Sequence, residues 1–68
     1  MILYFTPATN LEANLFSDLL DSSPFYGQWD AEARCFTFEE AAETIDSLES
    51  DLSAIAQSNN INGFFEAV

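Results

Sequence analysis

Residues 37–58 read TFEEAAETIDSLESDLSAIAQS. Phe38, Ala41, Ala42, Ile45, Leu48, Leu52 and Ile55 recur at three- and four-residue spacings. On a helical period of about 3.6 residues these positions form one apolar stripe. Glu39, Glu40, Glu43, Asp46 and Asp51 fall mostly on the opposite side. Thr37 and Glu40 fit the S/T-x-x-E capping box, which places the helix start at Thr37. No Lys or Arg is interleaved with these carboxylates. Solvated helices commonly mix signs, because Glu and Lys four apart gain a few tenths of a kcal/mol and like charges lose a similar amount. The stretch therefore predicts a helix over 37–58 whose outer face is acidic and suited to a cationic partner.

The remaining composition frames that helix. The chain has 68 residues, the length of one domain. A chain of this size buries only about 60% of its unfolded surface, so its core must be rich. Hydrophobic residues make up 49%, with seven Phe, two Tyr and one Trp, which argues for a folded domain over an acidic disordered tail. Twelve Asp and Glu face a single Arg, with no Lys and no His, giving a formal net charge of −11. Direct nucleic-acid binding is disfavoured, because phosphate contacts need Lys and Arg. Anionic membrane surfaces are disfavoured on the same ground. Basic partners are favoured, with electrostatically steered association. Cys35 is the only cysteine, so no intrachain disulfide forms, in keeping with a reducing interior. No run approaches the ~20 apolar residues of a membrane span, and MILYFT lacks the basic start of a secretory signal. The expectation is a soluble cytoplasmic protein.

Taken in order, residues 2–5 are a β-favouring apolar run, expected to be a strand buried on both faces and away from a sheet edge. Residues 9–21 are expected to be helical, with Thr9 and Glu12 as a capping box. A competing start has Thr6 at the cap and Pro7 in the first turn. Leu11, Leu15, Phe16, Leu19 and Leu20 make the expected buried arc, and Asn14, Ser17, Asp18 and Asp21 the wet one. Pro24 ends the helix. Residues 25–29 and 34–38 bracket Asp30–Ala33 and predict a hairpin with a four-residue loop. Gly27 marks a bulge or a close backbone approach. Asn59 and Asn60 stop the main helix, and Asn62-Gly63 signals a turn. Residues 64–68 fit a last strand or a helical turn equally well. The fold class is α+β: a small, mainly antiparallel sheet with two helices on one face, in the order β-α-β-β-α with an open tail.

The sequence points away from catalysis. Without His and with one Cys, an ordinary zinc site has no ligands, and the EF-hand pattern is absent, so no metal and no cofactor is expected. Cys35 has no His to activate it and reads as a buried, inert thiol. Paired carboxylates could do glycosidase-type work, but a chain this short lacks room for the cleft.

The acidic surface is the remaining signal. Carboxylates on a helix at 39, 43 and 46 would rise about 6 Å and then about 4.5 Å along its axis, comparable in scale with phosphate spacing. The partner-binding candidates are Glu39, Glu40, Glu43, Asp46 and Asp51 on the main helix, with Asp18 and Asp21 on the first. Asp30, Glu32 and Glu66 could extend the field, and Tyr26 and Trp29 could be apolar anchors at the rim or equally core residues, core being the preferred reading for Trp29. In size, charge, missing Lys and aromatic-rich core, the whole chain resembles the small acidic phage-encoded inhibitors of the DNA-mimic type, anti-CRISPR proteins foremost. The resemblance is one of profile and assigns no residue by position. It implies a non-enzymatic inhibitor that binds a basic DNA-binding protein or nuclease complex, such as a CRISPR effector, and blocks its target-DNA site. The chain itself would be a monomer or weak homodimer. Two other classes fit the same charge: an acidic adaptor or antitoxin with one basic partner, and a salt-adapted housekeeping domain.

Overall fold

The run Ile2–Phe5 becomes the strand on which the sheet is built. In the computed structural model, which describes residues 1–68, β1 (Ile2–Pro7) lies between β3 (Cys35–Glu39) and β4 (Gly63–Ala67), antiparallel to both. The short β2 (Gln28–Asp30) pairs with the outer side of β3, so the sheet order is β2-β3-β1-β4. Helix α1 (Asn10–Asp21) links β1 to β2, and α2 (Ala42–Ser58) links β3 to β4. Each β-α-β unit thus has a strand of the other inserted into it. This β-α-β-β-α-β order is the split, ferredoxin-like arrangement. The two-layer α+β class and the strand and helix order agree with the sequence reading, and the open tail is a strand.

The expectation that β1 is buried on both faces is corrected. Leu3 and Phe5 are fully buried, whereas Ile2 and Tyr4 are only half-buried. Leu3 and Phe5 share one core with Ala13, Phe16 and Leu20 of α1 and Ile45, Leu48, Leu52 and Ala56 of α2. Both helices therefore cover the same side of the sheet, and the alternating residues of β1 face the uncovered side. The central position of β1 was read correctly.

Phe5 is the hub of the core. Its ring centroid lies 4.4 Å from Phe16 and 4.5 Å from Phe65. Phe16 in turn lies 5.3 Å from Phe36. Offset and tilted ring pairs at such separations add about 0.5–1.5 kcal/mol each beyond area burial. Two glycines let the backbone come close to these rings. A Cβ at Gly27 would stand 2.5 Å from Phe38, and one at Gly63 would collide with Phe5. Gly27 is thus a close approach, as expected of it, and Gly63 opens β4 rather than a turn.

Helix α1 begins where the Thr9 box places it. The Glu12 N–H donates to Thr9 Oγ1 at 3.2 Å, and the Thr9 hydroxyl donates to Glu12 Oε1 at 3.0 Å. Pro7 lies in β1, which removes the competing start. The second Glu12 oxygen accepts from the Asn62 N–H, so one side chain joins the start of α1 to the entry of β4. The buried arc is offset from the expected one. Ala13, Phe16 and Leu20 are buried and Leu19 half-buried, but Leu11 is 68% and Leu15 43% exposed. Small Ala13 lets the helix lie against the sheet on that side, and the helix cannot also turn Leu11 and Leu15 inward.

Helix α2 is shorter than its periodicity predicts. Residues 37–39 belong to β3, where Thr37 pairs with Tyr4, Phe38 with Leu3 and Glu39 with Ile2. The capping box of Thr37 and Glu40 does not form. The cap is Ala41, with no side-chain hydrogen bond, and Ala41 and Ala42 are exposed. Phe38 is buried from the strand instead. The end of α2 matches the Asn59-Asn60 stop. The Ile61 N–H donates to Ala56 O at 2.8 Å and the Asn60 N–H to Gln57 O at 3.3 Å, with Asn60 at φ 56°. That is a Schellman motif, and its apolar contact is made by buried Ile61 and Ala56.

The hairpin loop is Ala31–Arg34, one residue later than expected. Asp30 Oδ1 accepts from the N–H groups of Glu32 and Ala33 at 3.0 and 3.2 Å. Arg34 takes φ 57° and its N–H donates to Asp30 O at 2.7 Å. The Asp side chain nucleates the turn, so Asp30 is the last paired residue of β2 rather than the first of the loop.

Two outcomes are expected in urea denaturation. Leu52→Ala, at a position with no exposure, loses about 2–5 kcal/mol. Glu12→Ala removes both the cap partner and the link to Asn62 and loses about 1–2 kcal/mol, more than alanine at exposed Glu43.

Candidate partner-binding surfaces

Every buried residue of this domain is apolar or the cysteine, and none is polar or charged. All twelve carboxylates therefore stand outside the core. Six of them lie on the two helices' outer sides and flanks and two on the opposite sheet face, while Glu12, Asp30, Glu32 and Glu40 sit at helix starts, turns and links.

The helix layer carries most of the expected set. Glu43, Asp46 and Asp51 are exposed on α2, and Asp18 and Asp21 are exposed on α1. Glu43 and Asp46 lie across the helix from the buried Leu48, Leu52 and Ala56 stripe, as the period requires. Glu49, half-buried on one flank of α2, is a helical carboxylate that the sequence reading omitted. Its three-residue spacing from Asp46 is the signal that marks it in the sequence. The rest of the outer face is neutral, with Ser47, Ser50, Ala54 and Gln57 exposed between and beyond the acids. Leu11 and Leu15 add an apolar strip to α1.

Glu39 and Glu40 are not on that helix. Glu39 ends β3 opposite Ile2, and its side chain alternates with buried Phe38 onto the uncovered side of the sheet. Glu40 lies in the link to α2. Its backbone N–H donates to Met1 O at 3.1 Å and its carbonyl accepts from the N-terminal amine at 2.9 Å. The regular ladder of carboxylates at 39, 43 and 46 is therefore broken, because its first member belongs to the other layer.

The uncovered sheet face has its own pattern. Alternation and register place Ile2, Tyr4 and Thr6 of β1, Thr37 and Glu39 of β3, and Phe64 and Glu66 of β4 on it. Tyr26, 94% exposed, joins Ile2, Gln28, Thr37 and Glu39 around a shallow depression at one end. Trp29, expected in the core, sits on edge strand β2, 45% exposed, with its ring 4.9 Å from Phe36. The strand is too short and too marginal in the sheet for a helix to cover it fully.

Cys35 is buried but lies outside the shared core, opposite Asp30. Burial pushes its thiol up from the ordinary value, and the nearby Asp30 carboxylate pushes in the same direction. Both effects disfavour the thiolate, the reverse of what a nucleophile needs.

No family model matches the chain, and no curated protein or solved structure matches it. No helix is long and apolar enough to cross a membrane.

The thiol yields an expected outcome. Because the folded thiol keeps its proton to higher pH than the unfolded one, this preference stabilises the fold at neutral pH. It is lost as pH rises through the raised folded value. Iodoacetamide labelling of the native chain at pH 8 should run far below that of the urea-unfolded chain, and the gap should narrow as pH rises.

Proposed function

We propose that this chain is a non-enzymatic inhibitor that occupies the Lys- and Arg-lined DNA site of a DNA-targeting defence complex, a CRISPR surveillance complex in the preferred case. The observation that carries the reading is the exclusion of all twelve carboxylates from the core of a folded domain with one arginine. A fixed array of negative charge displaces counterions from a basic groove much as the DNA backbone does. A mobile acidic segment would have to lose conformational entropy to do the same. The helix layer offers Glu43, Asp46 and Asp51 with Asp18 and Asp21, and these are the residues assigned to the groove. Glu39 and Glu40 are left out of that set by their position in the fold.

The proposed mimicry is limited in one respect. The contacts come from two helices of one layer and have no single regular spacing. The resemblance to DNA would then rest on net field more than on phosphate-by-phosphate registry. Such binding is strongly salt-dependent and tolerant of single substitutions.

The test is displacement of labelled target DNA from a purified CRISPR surveillance complex, followed by fluorescence anisotropy. The wild-type chain should displace DNA at low salt and lose potency as salt rises. Reversing Glu43, Asp46 and Asp18 together to Lys should weaken displacement by about tenfold or more, as expected if each rim charge is worth up to about 1 kcal/mol. A folded triple variant of unchanged potency would overturn the helix-layer site. Failure to displace DNA from any such complex would overturn the function.

A further inference from the structure

We infer that the uncovered sheet face is a second docking surface, built to hold arginine side chains of a basic protein segment. The proposal rests on the proposed function for the class of partner, a basic protein, but its site is separate from the helix layer.

The register of the sheet carries it. Tyr4 stands at the centre of the uncovered face. Glu66 is directly opposite it on β4, and Thr37 directly opposite on β3. Glu39, two residues on from Thr37, and Phe64, two residues before Glu66, are its diagonal neighbours. Direct cross-strand neighbours have Cβ atoms about 5 Å apart, and diagonal ones about 7–8 Å, within reach of long side chains. An aromatic ring is thus flanked by one carboxylate on each side, with a second ring, Phe64, at 60% exposure beside it. Tyr26 extends the aromatic surface past Glu39.

Aromatic faces attract cations, arginine most often, and a planar guanidinium can stack on a ring while its edge donates to a carboxylate. Tyr4 with Glu66 on one side and Glu39 on the other meets both requirements. The chain's own cations are placed elsewhere: the N-terminal amine donates to Glu40 O at 2.9 Å, and the only arginine, Arg34, is exposed in the β2–β3 turn. The chain leaves the face uncovered, although its apolar residues there, Ile2, Tyr4, Phe64 and Val68, could have met a third layer.

A second copy of the chain is the other occupant to weigh. Face-to-face pairing would bring Glu39 and Glu66 of each copy against those of its partner, with no Lys to relieve them and a charge of −11 on each chain. Charge complementarity selects the basic segment.

The experiment uses the full chain, labelled with nitrogen-15, and two synthetic peptides, one alternating arginine and serine and the other lysine and serine. Amide shifts on adding the arginine peptide should fall on β1, on Thr37 and Glu39, and on Phe64 to Ala67. The arginine peptide should bind several-fold more tightly than the lysine peptide. Glu66→Gln and Phe64→Ser, both at exposed positions, should each weaken it, while Glu43→Lys with Asp46→Lys should leave the shifts on the sheet face. Shifts confined to α1 and α2, or equal binding of the two peptides, would overturn the sheet-face site and leave the proposed function standing. Concentration-dependent shifts of the same strands without peptide would overturn it in favour of a second copy. Sheet-face binding of the arginine peptide with no displacement of DNA from a surveillance complex would support this site and count against the proposed function.

Discussion

The antiparallel ladder between β1 and β3 holds the two split units together, and the other elements take their places from it. Tyr4 opposite Thr37 and Leu3 opposite Phe38 bring Leu3, Phe5, Phe36 and Phe38 to one face. Those four residues are the floor on which α1 and α2 lie. The same pairing sends Tyr4 and Glu39 to the other face. The core and the uncovered surface are thus two consequences of one register, since a slip by one residue would exchange them. In a chain of 68 residues there is little else to absorb such an error.

That ladder also explains where local reading of the sequence stops. Phe38 sits at a helical spacing from Ala41, Ala42 and Ile45, and Thr37 and Glu40 have the types of a capping box, so the helix reads well from 37. The competing claim on residues 37–39 comes from Ile2–Tyr4, more than thirty residues away, and leaves no trace in the local window. Where the deciding interactions were local, the reading held. Thr9 and Glu12 mark the start of α1, Asn59 and Asn60 the end of α2, and Phe25–Phe38 contains a hairpin. Leu11 and Leu15 failed for a related reason. Their spacing allowed burial, but the site of Ala13 against the sheet selected a neighbouring arc.

The candidate surfaces were legible in part. The acidic composition and the exposed members of both helices could be read directly, because exposure of an Asp or Glu is the ordinary outcome. The membership of Glu39 could not, since it depends on the boundary between β3 and α2. The uncovered face was hidden as well. An alternating strand reads as half-buried only if the cover of its second face is known, and cover is a property of the assembled layers.

The two surfaces also differ in what their charge can do. The shortest dimension of the domain is 18 Å, and charges in solution at physiological salt are screened over about 8 Å. A cation above the sheet therefore feels little of the field from Glu43, Asp46 or Asp18 across the molecule. The helix-layer acids would act at long range on a basic partner in dilute salt, and their field would fade as salt rises. Glu39 and Glu66 are exposed beside Tyr4 and Phe64, so a partner seated on those rings would exclude water from them and weaken the screening. A partner that needed only the net field would be indifferent to which layer it met. One that buried a guanidinium against Tyr4 would have to meet the sheet, and its binding would retain a component that added salt does not remove.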